Sequence, residues 1–485
     1  MLAAGCGLNF PQQIVIGLAP ANHDSKPHKL ERPQDPVIQT GFNQLVPNLP
    51  AMIIRFLNFL TAGPFWICKV WLLSLFAALS FSCVPAVFRD GLAWKDLNPP
   101  LPPAYELKAD QPLADTAELT IPADPGARSH GAKLTPRVFS AGCLFLAKQL
   151  NLHPYLPASL GGCLLLLSGI IAGYRITGDR NIALGTSLIL AGLYASNACF
   201  SMNFEPKPFD GVAIGLVALT LMLIDRPILF TACAFLACWT DERAIMSLVL
   251  IGMTALLVVN MDKKARQNRC WMLVGAILSY VISRKLLEAI ANWSPADFSM
   301  LGENLLTSTA YAQLAGWSCF EGAWILLAMA IWTNWQNRSP LTSMSILLAA
   351  LGCVGSCLIV LDVSRASCFA FPLIFAALAS LTPEFKTDAT SKTAKSSEPT
   401  SARSEKGKGH GKPRKKAKPT ISTQKLAAST DFDANITASP TNCITGPVFL
   451  AALISLLSTN WEIIMATVMS PCPSTLIWLI QSLSI

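Results

Sequence analysis

The chain has 485 residues, of which 52% are hydrophobic and only 14% are charged. A soluble globular protein carries about 25% charged residues. This shortage of charge excludes a cytosolic enzyme or a disordered scaffold as a description of the whole chain. It predicts instead a polytopic membrane protein built from apolar segments of about 20 residues each.

Eleven apolar runs, bounded by charged residues or by Pro and Gly, predict an all-α fold with about eleven membrane spans. The runs are 64–88, 156–175, 182–200, 211–225, 227–240, 244–260, 271–287, 316–333, 343–361, 366–381 and 446–464. The predicted domains are an N-terminal segment 1–63, a transmembrane core 64–382, a basic segment 383–445, and a final span with the C-terminus, 446–485. Small residues inside the runs, such as Gly161 and Gly162, suit close packing between helices.

The basic character of the chain belongs to one segment. Glu384 to Lys425 holds twelve Lys or Arg residues and four Asp or Glu residues, an excess of eight positive charges. The whole chain also has a formal net charge of +8, so the rest of the sequence is neutral. Residues 383–445 are rich in Lys, Ser, Thr and Gly and are predicted to be disordered. We expect them to be attracted to anionic lipid head groups, with RNA or a protein partner as the alternative.

The 15 cysteines do not indicate a disulfide framework. Most of them lie inside the apolar runs, where a cysteine acts as a small hydrophobic residue. The sequence contains no CxxC pair and no Cys/His cluster with zinc spacing, so no structural metal is predicted.

The positions of Lys and Arg predict the orientation in a cell membrane. If the basic segment is cytoplasmic, the positive-inside rule also places the N-terminus and the connector Met261–Cys270 on that side. No convincing secretory signal opens the sequence. The predicted non-cytoplasmic face consists of residues 89–155, 201–210, 240–244, 288–315 and 362–365.

The longest predicted external loop, 89–155, follows the first span. Within it, Leu134–Leu150 has the apolar pattern of a helix lying on the membrane surface. Lys133 and Arg137 are four residues apart at the start of this helix, so both could point in the same direction. They are either ordinary snorkelling side chains or a clamp for a phosphate group.

Charged residues gather in three turns at predicted external ends of spans, where an ion next to lipid is costly and suggests function. The first turn contains Glu205 and Asp210, the second is Trp239–Arg243, and the third is Asp362–Arg365. Acids and arginines on one membrane face predict a site that receives a substrate from the bilayer. Arginines suit a phosphate, and a carboxylate suits the proton of an acceptor hydroxyl.

Each charged group also has a structural interpretation. Asp210 is suited to cap the following helix, and Asp241 with Glu242 could cap the next one, with Arg243 paired to them. Arg365 could pair with Asp362 instead of a phosphate. Glu321 lies inside the 316–333 run, and its simplest interpretation is a hydrogen bond between helices.

The order of these parts resembles the GT-C superfamily of polytopic glycosyltransferases. Phe209-Asp210-Gly211 opens an apolar helix, Asp225-Arg226-Pro227 follows, and a short helix ends in Thr240-Asp241-Glu242-Arg243. The stretch from Ser129 through Lys133 to Arg137 is similar to the entry of that superfamily's second external helix. Asp362 to Arg365 resembles its late external arginine before a span. The resemblance covers residues 64–382.

The resemblance implies sugar transfer from a polyprenyl-phosphate carrier to an acceptor on the non-cytoplasmic face. Asp90 or Asp96 would be the general base, and Asp210 would act with Glu205 to position the acceptor or a divalent cation, Mg²⁺ or Mn²⁺. Arg137 and Arg365, with Lys133, would bind the donor phosphate. Asp241, Glu242 and Arg243 would order the site.

Two other classes of function fit the same composition. A transporter or lipid flippase would need polar groups through the depth of the membrane and broken helices near its middle. A non-catalytic membrane scaffold would act through the basic tail. The sequence contains no Walker A motif, and only the tail favours nucleic acid, so a nucleotide or nucleic-acid site is not expected.

Overall fold

The computed structural model describes residues 49–82, 137–150, 152, 156–200, 208–258, 261–290, 312–337, 339–359, 363–382, 442–458, 460–464 and 467–472. The chain divides into two compact units, Met1–Phe56 and Leu57–Ile485. In the first unit the described residues are the opening turns of one helix, and all later elements belong to the second unit.

The described residues form sixteen α-helices in chain order. The first eight are α1 (Leu49–Thr61), α2 (Trp66–Ser82), α3 (Val138–Gln149), α4 (Leu156–Thr177), α5 (Arg180–Gly192), α6 (Tyr194–Phe200), α7 (Pro208–Met222) and α8 (Pro227–Thr240). The last eight are α9 (Ala244–Leu257), α10 (Lys263–Ile290), α11 (Ala312–Phe320), α12 (Trp324–Gln336), α13 (Pro340–Ile359), α14 (Val363–Ser367), α15 (Pro372–Leu381) and α16 (Asn442–Leu457). A 3₁₀ turn, Glu321–Ala323, separates α11 from α12.

The predicted helical fold with apolar helices able to span a membrane is confirmed, whereas the described residues do not confirm about eleven spans. Four helical segments in the described residues are long and apolar enough to cross a membrane, or up to six if each of two bent helix pairs is one span. The four are Leu156–Thr177, Lys263–Ile290, Ala312–Gln336 and Pro340–Ile359. The other apolar runs fold into shorter helices, such as the 15-residue α7. At 1.5 Å per residue such a helix is about 22 Å long and falls short of a hydrocarbon core of about 30 Å.

Apolar side chains cover the outside of two of the long helices. On α10, Trp271 is 72% exposed and Ile282 is 66% exposed. On α13, Leu341 and Leu348 are also largely exposed. A soluble protein rarely exposes such continuous apolar faces, so these surfaces fit contact with lipid.

Glycines set the closest helix crossing in the core, between α4 and α7. A Cβ atom on Gly161 would lie 1.9 Å from the carbonyl oxygen of Gly211, and one on Gly215 would lie 2.5 Å from the Cα atom of Gly161. The missing side chains therefore allow backbone-to-backbone contact, as small residues do in membrane bundles. This crossing fixes the first turn of α7, which carries Asp210.

The final helix, α16, packs on α5 although the basic segment separates them in sequence. A Cβ atom on Gly192 would lie 2.7 Å from the carbonyl group of Ser455, and one on Gly185 would lie 2.4 Å from Val448. Hence the residues after the basic segment complete the same core.

The predicted last span, 446–464, is wrong at its far end. Helix α16 ends at Leu457, and residues 460–464 form a strand, β1 (Asn460–Ile464), paired antiparallel with β2 (Thr467–Cys472). Ser458, Thr459 and Asn460 are poor helix formers that compete for backbone hydrogen bonds. Ser458 donates from its backbone N–H and its hydroxyl to the carbonyl of Ile454, which closes the helix.

Replacement of Gly161 by alanine should destabilise the protein by about 1–3 kcal/mol, because the new Cβ meets backbone that cannot move aside. The thermal unfolding midpoint in detergent measures this loss. Gly275→Ala is the matched control, since a Cβ on Gly275 in α10 meets nothing within 4 Å. Equal midpoints for the two variants would show that the α4–α7 crossing is not tight.

Candidate functional site

Asp210 accepts hydrogen bonds from two arginines that come from distant parts of the chain. Arg365 on α14 donates from Nε to Oδ2 at 2.6 Å and from Nη2 to Oδ1 at 3.0 Å. Arg243 donates from Nη2 to Oδ1 at 2.7 Å. The Asp210 side chain is 0% exposed. Such charge-assisted, two-point bonds are strong and directional, so Asp210 fixes both guanidinium groups.

Asp241 holds Arg243 from the other side. It lies directly after α8 in an extended conformation, and its Oδ1 accepts from the backbone N–H of Arg243 at 2.9 Å. The Arg243 side chain donates from Nε to Oδ1 at 2.9 Å and from Nη2 to Oδ2 at 2.6 Å. Both aspartates therefore orient the same guanidinium group.

Two more contacts fix the turn between α8 and α9. The Arg243 guanidinium lies 5.2 Å from the centre of the Phe369 ring, a cation–π contact. The Ser140 hydroxyl on α3 donates to the carbonyl oxygen of Thr240 at 3.5 Å. Helix α3, from the predicted external loop, is thus attached to the end of α8.

Arg137 precedes α3 and brings a third guanidinium group to the same place. Its Nη1 lies 3.1 Å from Oδ2 of Asp241, and its Nη2 lies 3.5 Å from Oε1 of Glu242. Its side chain is only 10% exposed, yet Nε and Nη1 make no hydrogen bond. The distance to Asp241 gives an ion pair, but the geometry at Nη1 is not that of a hydrogen bond. Arg137 therefore has buried N–H donors available for an acceptor.

The charges in the turn stabilise one another against burial. Burial alone would raise the pKa of Asp241, but Arg137 and Arg243 outweigh this effect and hold its pKa below the ordinary value. Burial alone would lower the pKa of Arg243, and Asp241 and Asp210 instead raise it well above its ordinary value. Asp241 and Arg243 therefore stay ionised at neutral pH.

The structure brings together six of the ten predicted site residues. These are Arg137, Asp210, Asp241, Glu242, Arg243 and Arg365. Glu242 lies at the rim, with 53% of its side chain exposed. Asp90, Asp96, Lys133 and Glu205 lie outside the described residues, as does Asp362. We call the five buried members, Arg137, Asp210, Asp241, Arg243 and Arg365, the arginine–aspartate cluster.

One local interpretation of the sequence does not describe the geometry. Asp210 is not the cap of α7, because it lies within the first turn and both its oxygens bind arginines. The described helix α3 begins at Val138, and Lys133 lies outside the described residues, so a face shared by Lys133 and Arg137 stays a prediction. The predicted pairing of Arg243 with Asp241 is present.

Phe369 is the contributor to the site that sequence reasoning missed. It is fully buried beneath Arg243 and lies four residues after Arg365. An aromatic residue one helical turn from an arginine is a usable signal, but Phe369 stands in an apolar run with other phenylalanines that hides it.

The cluster does not suit a divalent cation. No group of three or more His, Cys, Asp or Glu residues in the described part of the chain could hold a metal ion. The Asp210 oxygens already accept N–H groups from Arg243 and Arg365. An added Mg²⁺ or Mn²⁺ would have to displace these cations, so Asp210 does not fit the metal role that the resemblance implies.

No family model matches the chain, and neither a curated protein nor a solved structure matches it significantly. The fold and the arginine–aspartate cluster therefore provide the basis for a functional conclusion.

Asp241→Asn should lower the free energy of unfolding by about 3–5 kcal/mol at neutral pH, because it leaves buried arginines without their carboxylate. The folded pKa of Asp241 lies below that of an unfolded aspartate, about 3.9. Its contribution is therefore complete above the unfolded value and disappears as pH falls through the folded value. Unfolding midpoints from pH 8 to pH 3 should show the variant and wild type converging in acid.

Asp225→Asn is the control for that comparison, because its pair with Arg175 is about half exposed. We expect it to cost at most about 1 kcal/mol. A difference between Asp241→Asn and wild type that grows in acid would contradict the ion-paired state of Asp241.

A double-mutant cycle of Asp210→Asn and Arg365→Gln should be strongly non-additive, since each single change leaves the other partner buried without its counter-charge. The double variant should be at least about 1 kcal/mol more stable than the sum of the two single effects predicts. Urea or thermal unfolding of the four proteins measures this coupling. Additive losses would mean that the contact carries no net energy.

Proposed function

We propose that this protein is a membrane glycosyltransferase that moves a sugar from a polyprenyl-phosphate carrier to an acceptor on the non-cytoplasmic face. The arginine–aspartate cluster binds the phosphate of the donor. The observation that carries the proposal is Arg137, a buried guanidinium whose Nε and Nη1 have no hydrogen-bond acceptor, held beside two arginines that aspartates already fix.

The aspartates prepare the site for an anion. The ion pairs with Asp210 and Asp241 offset the desolvation cost of burying Arg243 and Arg365. These arginines are therefore already in position when a phosphate binds. Arg137 is held near Asp241 by charge alone, and its spare donors can form the two-point bond that suits a phosphate. The position of the cluster at helix ends suits a donor whose lipid tail lies along apolar helix faces.

The chemical step follows from this arrangement. A carboxylate accepts the proton of the acceptor hydroxyl. At the same time the hydroxyl oxygen of the acceptor forms a bond to the anomeric carbon of the sugar. The bond between that carbon and the phosphate oxygen breaks, and the phosphate leaves with the electron pair. Arginines stabilise the negative charge that develops on the phosphate.

Asp90 or Asp96 is the proposed general base. Asp210 supports the arginines instead, because its oxygens are engaged by Arg243 and Arg365. Glu205 and Lys133 remain proposed contacts of acceptor and donor, and Asp241, Glu242 and Arg243 order the site. Any divalent cation would be held by carboxylates outside the cluster.

Several features support the resemblance to the GT-C superfamily. The turns at 137, 210, 240–243 and 365 share one end of the bundle. A helix from the long loop, α3, covers the end of α8. We propose that this end is non-cytoplasmic and that the basic segment lies opposite, against anionic lipid head groups.

A second candidate is a multi-pass transporter or lipid flippase. One observation favours it: Glu321 is buried at a break within the long apolar segment Ala312–Gln336. Transport of a lipid-linked sugar without bond cleavage, measured in the same vesicles, would distinguish this class from a transferase.

A polyprenyl monophosphate should raise the thermal unfolding midpoint of the purified protein in detergent, and the matched polyprenol should not. The difference arises because only the phosphate can bind the spare Arg137 donors. Arg137→Gln should remove most of this response, and Arg137→Lys should restore only part, since lysine lacks the two-point geometry. The control Arg175→Gln should respond as wild type does, because Arg175 pairs with Asp225 elsewhere. Equal shifts with phosphate and alcohol would exclude a phosphate site.

Transfer of a radiolabelled sugar from a polyprenyl-phosphate donor in proteoliposomes should fall about 100-fold or more in Arg137→Gln, the size expected for loss of a group that stabilises developing charge. Replacing the true base, Asp90 or Asp96, by asparagine should lower kcat with little effect on donor binding. Wild-type transfer rates for Asp90→Asn, Asp96→Asn and Asp210→Asn would exclude this mechanism.

A further inference from the structure

Glu321 occupies a strained position in the middle of a long apolar segment. Helix α11 ends at Phe320, a single 3₁₀ turn follows, and α12 begins at Trp324. Glu321 has φ +45°, the left-handed region that non-glycine residues rarely adopt. Such strain persists where surrounding structure enforces it, and it is concentrated at functional sites.

The neighbouring residue explains how the strain is enforced. A Cβ atom on Gly322 would lie 2.1 Å from the carbonyl oxygen of Ala451, so the turn is pressed against α16. The Gly322 backbone N–H also donates to the Ser455 hydroxyl at 3.2 Å. Helix α16 therefore holds the turn in place and keeps Glu321 inside the protein.

The Glu321 carboxyl group has no counter-charge among the described residues. Glu321 is 1% exposed, and neither oxygen forms a hydrogen bond. The backbone of Tyr194 faces the carboxyl group, and no charged side chain among the described residues acts on it. The hydrogen bond between helices that the sequence predicts is therefore limited to this approach of the Tyr194 backbone from α6.

The helices around the turn offer no counter-charge in their sequences. Helices α6, α11, α12 and α16 contain no Asp, Glu, Lys, Arg or His. The titratable side chains on these helices are Tyr194, Cys199, Cys319 and Cys443. An ionised carboxylate in such surroundings is too costly to persist without a bound cation.

A second helix break lies next to the first, since Gly192 before one break and Gly322 in the other both pack against Ser455. Helices α5 and α6 meet at Leu193 with a bend of 64°, and Tyr194 opens α6. Two buried hydroxyl groups close to the breaks in sequence, those of Ser196 and Ser318, also lack hydrogen-bond partners. Breaks of this kind turn helix-end carbonyl groups and side-chain oxygens toward a shared interior point.

We propose that Glu321 is the anionic ligand of an intramembrane site for a small monovalent cation, Na⁺, which competes with a proton for the carboxylate. The hydroxyl groups of Ser196 and Ser318 and carbonyl oxygens at the two breaks supply the neutral ligands. Oxygen-only ligands suit a hard cation and are a poor match for zinc or copper, which prefer nitrogen and sulfur. When Na⁺ binds, the carboxyl proton leaves to solvent, so the charge inside the protein stays constant.

The test uses the purified full chain in a nonionic detergent and follows thermal unfolding by tryptophan fluorescence. NaCl is compared with choline chloride at equal ionic strength, at pH 8 and pH 6. Na⁺ should raise the unfolding midpoint saturably at pH 8. Each unit decrease in pH should raise the half-saturating Na⁺ concentration by up to about tenfold, because one proton competes with one Na⁺.

Glu321→Gln should abolish the Na⁺ response. Glu321→Gly should abolish it as well while relieving the left-handed strain, so it provides a folded variant if the glutamine variant unfolds. The control Glu288→Gln should respond as wild type does, since Glu288 already has its own cations, Arg284 and Lys285.

Identical midpoints in NaCl and choline chloride for the wild type would overturn the proposal. So would a Na⁺ response that survives in both Glu321 variants. A pH dependence that needs Glu321 without any Na⁺ response would also overturn it, leaving a carboxyl group that only protonates. These results do not depend on sugar transfer, because no donor or acceptor is present.

Discussion

The buried carboxylate of Asp210 is the constraint on which the candidate site depends. A buried negative charge needs a positive partner, and here Arg243 and Arg365 both pair with Asp210. Because Gly211 follows immediately and is pressed against Ala158 of α4, Asp210 cannot move away from its position. The site is therefore anchored at the close backbone contact between α4 and α7.

This anchoring also explains why the arginines are so well defined. Arginine side chains at a membrane surface normally sample many rotamers. The guanidinium groups of Arg243 and Arg365 are each held at two points, and that of Arg243 also lies on an aromatic ring, so little flexibility remains. Arg137 differs because its position is set by ion pairing and by the start of α3 rather than by hydrogen bonds.

The sequence predicted the helices and the charged turns better than their assembly. Apolar runs bounded by charge marked nearly every described helix, because burial in lipid or protein requires such runs. The length of an apolar run predicted membrane spans less well, since runs such as 211–225 form helices too short to cross a bilayer upright. The bond between Arg365 and Asp210 was not predictable locally, because the two residues are 155 positions apart in the sequence.

The two polar features of the interior differ in a way that composition alone does not reveal. In the arginine–aspartate cluster, each carboxylate meets guanidinium groups, which makes the cluster both structural and receptive to an anion. At Glu321 the carboxyl group meets apolar helices that carry no basic residue, so the same chemical group lacks a counter-charge. The difference follows from which turns the helix packing brings together.

The sequence separations within the cluster have a consequence for biosynthesis. Arg243 follows Asp210 by 33 residues, and both enter the nascent chain early. Arg365 is translated only after five further helices among the described residues, α9 to α13, have emerged. A ribosome that stalls between α9 and α14 therefore leaves Asp210 with one arginine instead of two. The finished ion network therefore marks a chain that translation has carried past residue 365.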